Sequence, residues 1–101
     1  MTYNAIKEAI YTYLPDARIL LFGSHAKGVY DINSDYDLLI ITPNLLTRKE
    51  KLTTSSQMHR AIVRAINAPI DLLLYSEEEV AKKKELPGHI VQAAMKEGIA
   101  L

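Results

Sequence analysis

The sequence predicts an α/β (α+β) fold: a small mixed β-sheet with helices packed against it. Two observations carry this. Three apolar runs of strand length, Arg18–Phe22, Tyr36–Thr42 and residues 70–75, are bounded by glycine, proline and polar residues. Around them lie stretches with helical spacing or helix-start signatures, so the elements run α-β-turn-β-α-β-α-α.

The first helix is expected over residues 3–14, where Ile6, Ile10, Tyr13 and Leu14 fall on one face and Pro15 stops it. Arg18–Phe22 is too short for a globular helix and reads as a strand. Gly23 and Ser24 end it, and residues 25–27 can form one helical turn. Residues 28–34 are loop-like, with Gly, Asp, Asn and Ser. The second strand carries Leu38, Leu39, Ile40 and Ile41 without a break, the pattern of a central strand covered on both faces. Thr47 with Glu50 forms a capping-box pattern. It opens a helix to about Asn67 whose buried side takes Leu52, Ile62, Val63 and Ile66, with Met58 and His59 near it. Residues 53–57 are weak helix formers, so a mobile N-terminal half is expected. Pro69 precedes the third strand. Ser76 with Glu79 is a second capping box, opening a short helix to about Lys84 before Pro87 and Gly88 intervene. Ile90–Glu97 makes the last helix, with Gly98 as its C-terminal cap.

Length and composition narrow the function. The chain has 101 residues, 49% of them hydrophobic, which suits one domain over residues 1–101 with a core of its own. Cysteine is absent, which removes disulfides and thiolate metal sites. Twelve basic residues balance twelve acidic ones, so nonspecific binding to a nucleic-acid backbone is not expected. A zero balance also leaves little repulsion between copies, so self-association or a partner fits. No apolar run reaches the roughly 20 residues that span a bilayer. The first residues lack a signal-peptide pattern, and a cytoplasmic protein is expected.

The chemistry concentrates where the first two strands meet. Asp35 and Asp37 stand one residue apart at the start of an apolar strand, so they share a face. Two such anions repel, and desolvation adds to the cost. A divalent cation relieves both, and carboxylate oxygens suit Mg²⁺ or Mn²⁺. Asp71, in the third strand, joins them if the second and third strands are neighbours. Three carboxylates on adjacent strands can hold two metals for in-line displacement at phosphorus. Gly23 lets backbone approach a ligand, a turn into a helix start offers free N–H groups, and Ser24 and Lys27 add a hydroxyl and a charge for phosphate. An isolated Asp-x-Asp is commonly a solvated strand end; here the combination carries the weight.

Other patterns fail. Gly23 and Gly28 have P-loop spacing, but Val29 and Tyr30 stand where Lys and Ser/Thr are needed. Asp31, Asn33, Asp35 and Asp37 have calcium-loop spacing, but Tyr36 replaces its glycine and Thr42 its closing Glu. Lys82, Lys83 and Lys84 follow three glutamates and read as a self-compensating helix face. His59 and His89 read as surface or edge residues. Tyr30 and Tyr36 flank the site and are placed to stack on a base, with packing as the default.

At these residues the chain resembles the minimal nucleotidyltransferases, the MNT group of the DNA polymerase beta superfamily. Their signature is Gly-Ser, ten residues, then Asp-x-Asp after an apolar strand, with a third Asp on a later strand. Gly23-Ser24, ten residues, Asp35-Tyr36-Asp37 and Ile70-Asp71-Leu72 match it, and the end of the chain resembles the family's closing helix, glycine and apolar tail. His25 and Lys27 stand where the family often has arginines. The resemblance implies a polymerase beta-like fold and transfer of a nucleoside monophosphate from a triphosphate such as ATP, with Mg²⁺, releasing pyrophosphate. By position Asp35 and Asp37 would hold both metals. Asp71 would complete the second site and help deprotonate the acceptor, and Gly23 and Ser24 would hold the β- and γ-phosphates.

Small proteins of this group are commonly paired with a HEPN protein as antitoxin and toxin, and some are thought to adenylylate the toxin. Three functions are therefore expected to compete: AMP transfer to a protein, neutralisation of a HEPN partner by contact alone, and transfer to a small molecule held by a separate subunit. The three intact aspartates favour an enzyme, and the lack of a substrate domain favours a protein acceptor.

Overall fold

The computed structural model of the chain describes residues 2–101. A four-stranded sheet in the order β3-β2-β1-β4 is built from β1 (Arg18–Phe22), β2 (Tyr36–Thr42), β3 (Ile70–Ser76) and β4 (Ile99–Ala100). β2 runs antiparallel to β1 and parallel to β3, and β4 runs antiparallel to β1. The sheet is mixed, as the alternation of elements predicts.

Alternation along the strands divides the core in two. Ile19, Leu21, Leu38, Ile40, Ile70 and Leu74 face α1 (Thr2–Tyr13) and α3 (Arg48–Ile66), meeting Ile6, Ile10, Met58 and Ile62. Phe22, Leu39 and Ile41 face the other way, onto Val80 of α4 (Glu77–Lys83) and Val91 and Ala94 of α5 (Ile90–Glu97). The unbroken apolar run 38–41 is fully buried, because β2 is covered on both faces. Burial of an aliphatic side chain stabilises by about 1.5–3 kcal/mol, so this strand anchors both layers.

Both capping boxes form: Thr47 accepts from the Glu50 N–H and Ser76 from the Glu79 N–H, and each glutamate reaches back to its cap residue. Two expected core residues lie outside. Leu52 is 69% exposed, because it sits ten positions before Ile62 and is turned from it by about 80° at 100° per residue. Tyr13 is 39% exposed; at the last turn of α1 it lies beside Gln57, Arg60 and Arg64 of α3, while Ala9 takes an inward position.

Gly98 does follow α5, donating its N–H to the Ala94 carbonyl, but its φ of −70° is not the left-handed cap. A glycine fits here because a Cβ would run into the Ala94 carbonyl oxygen and press on Leu20 and Leu21. The chain then pairs Ile99 with Leu21 and Ala100 with Leu20. That strand has no sequence signal: two residues cannot show a period.

Candidate active site

β1 delivers the chain to one end of the sheet, and the site forms there. Phe22 is extended, Gly23 has φ +73°, and a five-residue helix, α2 (Gly23–Lys27), starts at once. Phe22 pairs with Asp37 across the β1–β2 ladder, and Asp37 pairs with Asp71 across the β2–β3 ladder. Asp37 therefore sits between the Gly23 turn and the third strand's acid. A Cβ built on Gly23 would land on the Asp37 carboxylate. The glycine is required twice, by its positive φ and by this close approach.

The carboxylates feel one another. Asp37 is half-buried and its carboxyl is pushed above the ordinary range, first by burial, then by the charges of Asp71 and Asp35, with His25 opposing. Asp71 is exposed at the start of β3, and Asp35 is exposed one residue before β2. Among the described residues, no three acidic or histidine side chains close on one point as a metal cage. The donor chemistry still fits a hard divalent cation. Asp35, Asp37 and Asp71 offer only carboxylate oxygens, they repel one another, and the two outer ones are free to turn at the surface.

Residues 28–35 are tied into a compact loop. Gly28, at φ +75°, caps α2 by donating to the Ser24 carbonyl. The Asp31 carboxylate accepts from the Asn33 N–H at 2.8 Å, and the Ser34 N–H donates to the Asp31 carbonyl. His25 holds this loop from inside. Its ring stacks on Tyr36 at 3.7 Å and on Tyr30 at 4.3 Å, and Nε2 lies 3.1 Å from the Ser34 carbonyl. The two tyrosines expected to flank the site do so, packed on His25. His25 itself was legible only as a departure from a basic residue; an aromatic five and eleven positions after it was the available signal.

Ser24 is half-buried at the first turn of α2. Lys27, at its last position, pairs with Glu97 of α5 at 3.2 Å. Both partners are about half exposed, and such a pair is worth little, so Lys27 is held toward α5 and released easily. Beyond Asp71 lies a cleft of about 420 Å³ lined by Ser55, Ser56, His59, Arg60, Ile70 and Leu72. His59, expected at the surface or an edge and near the buried side of α3, is exposed; the sequence assigns nothing to Ser55, Ser56 or Arg60.

A strand turning sharply through Gly-Ser into a short helix and acids on two neighbouring parallel strands thus come together at one end of the sheet. The nucleotidyltransferase domain family matches residues 4–101, and the chain belongs to that family. A relative described as a putative protein adenylyltransferase of Methanocaldococcus jannaschii is 49% identical over 47 residues, 45% of this chain. The matched stretch spans 48% of that relative's length. Among solved structures, a toxin–antitoxin crystallised with AMP-PNP is similar with a TM-score of 0.71 at 19% identity, covering 99% of this chain and 72% of that one. A complex of tri-AMPylated Shewanella oneidensis HEPN toxin with MNT antitoxin gives 0.58 at 15% identity, covering 98% and 67%. At these identities the likeness is one of fold.

Proposed function

We propose that this chain is a Mg²⁺-dependent nucleotidyltransferase that moves AMP from ATP to a hydroxyl of a protein partner, a HEPN-type toxin for which it serves as antitoxin. The observation that carries the reading is the register that sets Asp37 beside Asp71 and under Gly23. The fold shared with toxin–antitoxin complexes and the adenylyltransferase relative support the choice of acceptor. An ATP donor fits a cytoplasmic location.

In this reading Gly23 and Ser24 receive the β- and γ-phosphates, the Ser24 hydroxyl donating to a phosphate oxygen. Lys27, once free of Glu97, adds charge on the same side. Asp35, Asp37 and Asp71 would hold the metal ions, with Mn²⁺ able to replace Mg²⁺. When bound there, such cations would offset phosphate charge and favour an ionised acceptor oxygen. Asp71, exposed at the outer side, takes the proton of the acceptor hydroxyl. The acceptor oxygen bonds to the α-phosphorus, the bond from that phosphorus to the bridging oxygen breaks, and pyrophosphate leaves. His25 contributes by fixing the loop that precedes Asp35.

The loop also exposes apolar side chains, Val29 at 72% and Ile32 at 92%. They sit next to the site and favour a macromolecular acceptor over a small molecule. Purified protein co-expressed with a HEPN-type protein, given Mg²⁺ and labelled ATP, should label that partner. The Asp35→Ala/Asp37→Ala variant should not. Tight binding of the partner with neither ATP binding nor transfer would favour neutralisation by contact.

A further inference from the structure

The cleft beyond Asp71 has a chemical character of its own. One wall is α3, contributing Ser55, Ser56, His59 and Arg60; the other is the start of β3, contributing Ile70, Asp71 and Leu72. Arg60 also lines a second surface depression with Tyr13, Gln57 and Arg64, so the two border one another at Arg60. Among the described residues, Asp71 is the one acid lining either. Among the described residues, neither Arg60 nor Arg64 belongs to an ion pair, although the chain is neutral overall. β3 is also the outermost strand of the sheet, so the backbone groups on its outer edge have no strand partner and can pair with an extended chain.

We infer that the α3–β3 cleft is the acceptor site, and that it receives an extended, acidic polypeptide segment. The segment's backbone lies along the outer edge of β3; side chains turned to the α3 face carry carboxylates to His59, Arg60 and, one helical turn on, Arg64, while the hydroxyl residue between them turns to the other face, which Asp71 shares with Asp37. This rests on the nucleotidyl-transfer reading for its purpose but not for its binding chemistry. RNA, which could also meet the arginines, cannot use the strand edge, and the positive strip is short. A polypeptide is therefore the occupant the geometry favours.

The test uses the full chain without nucleotide and three fluorescent probes: a tyrosine peptide flanked by glutamates, the same peptide flanked by lysines, and single-stranded oligo(A). Polarisation titration should show the acidic peptide binding at least tenfold tighter than either of the others. The Arg60→Glu/Arg64→Glu variant should weaken it at least tenfold, whereas Lys84→Glu, the same change on α4's side of the sheet, should not. Both arginines are exposed, and circular dichroism melting checks that the variants stay folded. Amides of β3 should gain hydrogen-exchange protection with the acidic peptide. Equal binding of the two peptides, preference for oligo(A), or no effect of the double reversal would overturn the inference. ATP binding and transfer, measured on the same samples, separate it from the broader reading. Peptide binding without transfer leaves the cleft standing and removes the enzyme; transfer to a partner without acidic-peptide preference does the reverse.

Discussion

The chain starts its helices in two ways. α3 and α4 each begin on a complete reciprocal capping box, with Thr47 and Ser76 satisfying N–H groups that the helix leaves open. α2 begins on Phe22, which offers no side-chain cap, and on a glycine with positive φ lying against Asp37. The first two starts are finished by the chain itself. The third has no side-chain cap and lies against the Asp37 carboxylate. The difference separates helix starts that serve the fold from the one placed against the acids.

Breaking the unfinished start should have the largest effect. Gly23→Ala puts a Cβ on the Asp37 carboxylate in a backbone region that costs about 1–3 kcal/mol for a residue other than glycine. Transfer to the partner should fall at least a hundredfold, and the melting temperature should drop. Next, Asp37→Asn should abolish transfer while raising the melting temperature of the ligand-free protein at neutral pH. The sign follows from the raised carboxyl. The folded state holds the proton more tightly than the unfolded state, so stability is greatest in acid and declines as pH rises through the folded value. The gain from Asn should therefore vanish in acid, where wild-type Asp37 is protonated in both states. Mg²⁺ should raise the melting temperature of wild type and not of this variant.

His25→Ala removes two ring stacks and the Ser34 contact. Aromatic pairs add about 0.5–1.5 kcal/mol each beyond their buried area, so a loss of roughly 2 kcal/mol in urea melts is expected. His25→Phe keeps the stacks and should recover most of the stability, with transfer following the order wild type, Phe, Ala. The smallest effect belongs to the finished starts. Thr47→Ala or Ser76→Ala should each cost about 1 kcal/mol and leave transfer per folded molecule unchanged.

The strands and caps were legible because they rest on local rules. The run 38–41 can only be a strand covered on both sides, and Thr47 with Glu50 has a reciprocal geometry fixed by three residues of spacing. The position of Asp71 was legible only conditionally, since nothing local says that β2 and β3 pair; the parallel register of Asp37 with Asp71 supplies it. What escaped was set by tertiary contact. Leu52 is apolar yet points outward, β4 exists only because β1 has a free edge, and Gly98 is needed for a neighbour's carbonyl and not for its own φ. His25 escaped for the same reason, since its two stacking partners come from a loop and a strand.

What remains to be decided is whether the Gly23 turn and the Asp37–Asp71 pair form a nucleotidyl-transfer centre. It is tested most directly by giving the protein, Mg²⁺ and its partner ATP labelled either at the α- or at the γ-phosphorus. The α-label alone should enter the partner, with one pyrophosphate released per transfer, and Asp37→Asn should stop both. Entry of the γ-label, or undiminished α-labelling by Asp37→Asn, would contradict it.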